Sequence, residues 1–337
     1  MLDSAIKKIV KRFYPKGQDD PSEKVFVAAF GKHPAWDDHI DDIGLDMDTL
    51  IAAKRILYVQ GIGGNIDSGS WGKLQENQQI EDFNHVFVWC MGRSIIVGRL
   101  WSSRDGKGRT SYPMVVCAQC LQLSLEWILE NILPGLEKIE KTCVETTSAD
   151  DVRTTIENAQ KEFRQLAHQC PPCTDLLQIH SDALTKIAEC FEVGGNHEGL
   201  LRILYHIERE VERYKPDTVD SRKTKTLTMR SALLRVPASP PPMPEGVLWW
   251  MSFLLDKLGV NTPLLILMPQ KNTWIDIIIG EPAVAQLYCL RAPLKGVPLT
   301  SSVPYNMDAE FINRADKLIE DSQSGSNGQV SMGADSQ

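Results

Sequence analysis

Two imidazoles and four carboxylates crowd into one short stretch: His33, Asp37, Asp38, His39, Asp41 and Asp42. Hard oxygen donors with imidazole nitrogens are what a divalent metal needs to polarise water. A metal-assisted hydrolase using His33, Asp37, Asp38 and His39, with Arg109 holding an anionic substrate, is therefore one chemistry the stretch permits. Adjacent aspartates also arise from helix N-capping and solvation, and no distant motif completes a ligand shell. A second charged group, Arg104, Asp105, Lys107 and Arg109, surrounds Gly106 and Gly108. Asp105 and Arg109 can pair with each other or with Asp38, fixing loop shape; alternatively the three cations face an acidic partner.

Other chemistry-bearing patterns are weaker. Of the eight cysteines, Cys117/Cys120 and Cys170/Cys173 form Cys-x-x-Cys pairs that invite a zinc reading. The first pair ends an apolar strand, where thiols serve as small hydrophobes, and two helices separate it from the second. Structural thiols are the expectation. Gly61-Ile62-Gly63-Gly64-Asn65 lacks the Lys-Ser/Thr of a phosphate loop and follows a helical stretch, so it reads as a helix C-terminal turn. Neither a Gly-x-Ser-x-Gly elbow nor a His-Glu-x-x-His helix is present. No catalytic residue and no cofactor is assigned from these patterns.

The elements that must position these groups follow from periodicity. With 337 residues, 42% apolar and 24% charged, the chain can bury a large core. Its net charge of −8 argues against nucleic-acid binding. No apolar run reaches the roughly 20 residues of a spanning helix, and residues 1–14 lack the apolar core of a secretory signal. A cytoplasmic location is expected. Residues 1–14 instead pattern as a short basic amphipathic helix suited to an anionic membrane surface or a partner groove, or to simple packing. Strands are predicted at 25–30, 86–90, 94–101, 112–118, 233–236, 264–268 and 274–279. Helices are predicted at 46–59, 124–141, 148–168, 181–191, 196–214, 247–258 and 282–289. Ser124 and Ser148 are the candidate N-caps, Ser148 with Asp151 as a capping-box partner. Closely spaced strands joined by hairpins point to a mainly antiparallel sheet with helices packed on it, not a doubly wound parallel one. The expected division is an arm and linker at 1–22, an α/β region at 23–145, and a helical region at 146–230. Strands and a helix at 231–315 complete the fold, and 316–337 form a disordered tail.

Three segments in order resemble the TagF/ImpM family associated with bacterial type VI secretion. The family's Gly-Lys-x-Pro-x-x-Gly-Asp-Phe is similar to Gly31, Lys32, Pro34 and Asp38 here, with Asp37 in place of Gly and His39 in place of Phe. Its Ser-x-Asp-x-x-Gly-Arg-x-x-Pro-Leu is matched by Ser103, Asp105, Gly108, Arg109 and Pro113, with Met114 for Leu. Val247-Leu248-Trp249-Trp250 resembles its later Ser-x-Trp-Trp segment. The resemblance implies an α+β (three-layer α/β) fold, its mainly antiparallel sheet flanked by helices, and a non-catalytic accessory or regulatory protein acting through protein contacts. The implied partner is a forkhead-associated scaffold or another secretion component. The implied partner-binding or site-shaping residues are Gly31, Lys32, Pro34, Asp38, Asp105, Gly108 and Arg109. For that reading the turn after the first strand and the Arg-bearing turn must converge.

Overall fold

The computed structural model describes residues 23–74, 80, 82–92, 94–170, 180–214, 231–238 and 245–327. The expectations for residues 1–22, for Cys173 and for the loop at 216–228 lie outside them. Seven strands, β1 (Val25–Gly31), β2 (Asn84–Met91), β3 (Ser94–Ser102), β4 (Pro113–Leu121), β5 (Ala232–Pro237), β6 (Leu264–Pro269) and β7 (Trp274–Ile279), form one sheet. Its order is β1-β4-β3-β2-β6-β7-β5, and every neighbouring pair is antiparallel. The α+β expectation holds.

The period-two pleat sorts side chains to two faces. In β4, Met114, Val116, Ala118 and Cys120 enter one apolar core, while Val115 and Cys117 enter the other. Cys117 and Cys120 therefore point to opposite faces, and the zinc reading of that pair falls: an odd spacing in a strand cannot bring two thiols to one metal. Burial pushes the Cys117 thiol up to about 12, as befits a packed hydrophobe.

Helices cover both faces. On one side lies a continuous helical run: α1 (Asp48–Ala53), a π-wound segment (Lys54–Gly63) and α2 (Gly64–Asp67). It outruns the predicted 46–59 helix and corrects the Gly61–Asn65 expectation, because those residues sit inside the helical run instead of ending it. The other face packs α3 (Leu125–Asn131), α4 (Leu133–Glu145), α5 (Ala149–Gln169), α6 (Ala183–Val193), α7 (His197–Tyr214) and α8 (Glu245–Leu258). The predicted 124–141 helix is two helices, since Pro134 in the first turn of α4 cannot continue α3. Ser124 caps α3 by accepting the Trp127 N–H, and Ser148 caps α5 by accepting the Asp151 N–H. The Asp151 carboxylate does not close a capping box; it accepts from Thr146 Oγ1 at 2.9 Å.

Beyond the sheet come α9 (Val284–Leu287) and α10 (Ala309–Asn327). α10 corrects the expected tail over 316–327: Phe311, Ala315 and Ile319 are buried four residues apart, and helix continues to Asn327, while the expectation for 328–337 lies outside the described residues. The outer edge of β1 is closed by side chains and loop. Gln160 on α5 accepts from Val27 N–H at 2.6 Å and donates to Val25 O at 2.7 Å, while Ala29 exchanges backbone bonds with Ile43.

Candidate functional site

β1 pairs with β4 so that Gly31 lies opposite Met114, which sets the turn after β1 beside the β3–β4 loop. Gly31 adopts φ +115, and a Cβ there would stand 2.3 Å from the Pro113 carbonyl. That close approach lets the Lys32 N–H donate to Pro113 O at 3.2 Å. Lys32 then turns inward, only 3% exposed, where its Nζ meets Asp105 Oδ2 at 2.5 Å and Asp38 Oδ1 at 3.1 Å.

Asp105 is the hub. Its Oδ1 accepts the backbone N–H groups of Lys107 (3.0 Å) and Arg109 (2.9 Å); its Oδ2 accepts Lys32 and Arg109 Nε (2.6 Å). Gly108 supplies the φ of +79 that folds the loop around this carboxylate. Arg109 Nη2 reaches across to Asp37 O at 2.9 Å and to Asp38 Oδ1 at 3.1 Å. Gly106 N–H donates to Trp36 O at 2.6 Å, a second stitch between the turns. Burial works to raise the Asp105 carboxyl, but Lys32, the Arg109 N–H and the Arg109 guanidinium outweigh it and hold it below the usual range. The Lys32 hydrogen bond, with Arg109 and His39 nearby, lowers Asp38 as well.

All seven residues singled out in the sequence fall in or beside this junction, Pro34 as the partly exposed bend of the first turn. The six-residue acidic and imidazole stretch, by contrast, comes apart. His33 is buried and faces the helical layer, its Nδ1 accepting from Ala35 N–H at 3.2 Å and its Nε2 bonded to Cys143 O at 2.8 Å. Burial lowers its pKa against the pull of that carbonyl. Asp42 pairs with Lys54, and Asp41 with Arg153 and Trp36 Nε1. Asp37 stands exposed, 3.8 Å from Lys107 Nζ. Among the described residues no group of three or more His, Cys, Asp or Glu side chains is placed to hold a metal.

The two departures from the family-like pattern have a physical reading. Asp37 does not occupy the left-handed region, so its backbone does not need the glycine of the pattern. His39 stands where the pattern has Phe, and its ring packs edge-on against Tyr58 (5.8 Å) and Tyr112 (5.2 Å) while Nδ1 contacts Asp38 at 3.1 Å. Sequence reading missed Tyr58, Tyr112 and Arg153. Tyr112 is adjacent to Pro113 of the second signature and was discoverable there; Arg153 carries no local signal.

No protein-family profile matches the chain, and no curated protein does. Among solved structures it is similar to PA0076 from Pseudomonas aeruginosa PAO1, at 16% sequence identity and a TM-score of 0.30. The match covers 44% of this chain and spans 64% of that protein's length.

Proposed function

We propose that the chain is a non-catalytic accessory or regulatory protein of the TagF/ImpM kind, acting by protein–protein contacts in the assembly or post-translational control of type VI secretion. The observation that carries the reading is the Asp38–Arg109 contact at 3.1 Å, because it joins two signature turns far apart in sequence into one surface. The groups that could do chemistry are spent on one another: Lys32 and Asp105 pair below the surface, and Arg109 and Asp38 close the network from the exposed side. An ion network with a buried core favours fixed shape over turnover. What it presents outward is a firm rim of Asp37, Asp38, His39, Lys107 and Arg109, all exposed, suited to docking. A forkhead-associated scaffold, or another component of the same apparatus, is the partner class this reading points to, with the cytoplasm as the place of action.

The test is a pull-down from the producing bacterium with wild-type protein and with the Asp38→Ala/Arg109→Ala double variant. A secretion-apparatus protein retained by the first and lost by the second is the expected result. Equal retention by both, with the variant folded, refutes the docking role.

A further inference from the structure

The π-wound segment was legible in neither the motifs nor the family-like signatures, and it meets the junction at one residue. Its inward positions come in triplets five apart, Ile56-Leu57-Tyr58 and Gly61-Ile62-Gly63, matching the i→i+5 bonding of a π-helix. Tyr58, 3% exposed, is carried by this winding to where both turns meet. Its hydroxyl donates to Pro113 O at 3.2 Å, the same carbonyl that takes the Lys32 N–H. Its ring lies 5.5 Å from Phe30 at the end of β1, 5.8 Å from His39 and 5.5 Å from Tyr112. One side chain therefore touches the strand that leads into the first turn, the histidine beside Asp38, and the residue that opens β4.

The winding itself is pinned from outside. Asn65 Nδ2 donates to Gly61 O and to Val284 O, both at 2.9 Å. A Cβ on Gly61 would come within 2.2 Å of Leu287 Cδ1, so this turn closes tightly on α9.

We infer that Tyr58 is a positioning residue of the docking surface, delivered by the π-wound turn and setting the places of His39 and Pro113, and through them of Asp38 and Lys32. The inference rests on the docking reading for its biological meaning, but its geometry can be tested without any partner. The probe is the Nε–H resonance of Arg109, which pairs with Asp105 and does not touch Tyr58. In Tyr58→Leu that resonance is expected to shift, and in Tyr58→Phe, which keeps the ring on His39, to return towards its wild-type position. A folded Tyr58→Leu protein of lower Tm with the Arg109 resonance unmoved overturns the assignment, because packing alone would then explain the residue. Should Tyr58→Leu not fold, the wild-type protein decides: absence of a nuclear Overhauser contact between the Tyr58 and His39 rings overturns the assignment, and its presence supports it. Failure of the docking reading shows instead as equal retention in the pull-down, whatever the Arg109 resonance does.

Discussion

Gly31 and Gly108 both take positive φ, yet they differ in what surrounds them. At Gly31 a methyl would collide with the Pro113 carbonyl as well as strain the backbone; at Gly108 nothing lies within 4 Å of the added atom. Gly31→Ala is accordingly expected to cost about 3 kcal/mol and Gly108→Ala about 1 kcal/mol, measured by urea denaturation. Equal costs would mean that the approach of β1 to Pro113 is looser than described. Both glycines were visible in the sequence because turn chemistry is local. The direction His33 faces was not: its partner, the Cys143 carbonyl, ends a helix more than a hundred residues away, and no spacing rule reports it.

At the scale of elements, one fully buried ion pair is a contact the sequence did not announce. Arg235 on β5 and Asp276 on β7 are cross-strand neighbours, both buried, joined by two bonds of 2.6 and 2.8 Å. The guanidinium also donates to the carbonyls of Ala292 (2.8 Å), Val297 (3.0 Å) and Cys289 (3.1 Å) and lies 4.6 Å from the Trp274 ring. Those contacts use all five of its donors and tether the irregular segment after α9 to the sheet. Nearby His85 stays neutral, its pKa pushed down to about 3 by burial and then by Arg235. Arg235→Met leaves a buried carboxylate without its cation and is expected to cost about 3–5 kcal/mol. Adding Asp276→Leu is expected to recover most of that loss. Denaturation of the two variants checks this, and a double variant no more stable than the single would show that the tether, not the charge, dominates.

For the molecule as a whole, the junction carboxylates make stability depend on acid. Asp38 and Asp105 have folded pKa values below their unfolded ones, so their contribution is present above the unfolded value and lost as pH falls through the folded one. Thermal stability is therefore expected to drop as pH falls below about 4, the ordinary carboxylate range. Asp105→Asn, which has no carboxylate to take up a proton, is expected to start less stable at neutral pH and to show a shallower acid limb. Parallel limbs would remove Asp105 as a source of the acid sensitivity. No helix among the described residues is long and apolar enough to cross a membrane.

Alternation, caps and turn residues in the chain alone determined the seven strands, the β2–β3 hairpin, the Ser124 and Ser148 caps and the antiparallel α+β class, because each depends on neighbours within a few positions. Only the assembled sheet decided the rest. Strand order placed β1 against β4 and so brought Asp38 to Arg109; β5 beside β7 created the Arg235–Asp276 pair. The terminal helix likewise needed a surface for Phe311, Ala315 and Ile319 before its polar sequence could be held in order. Such contacts join residues tens to hundreds of positions apart, and no local pattern selects them until burial and hydrogen-bond satisfaction are met together across the whole fold.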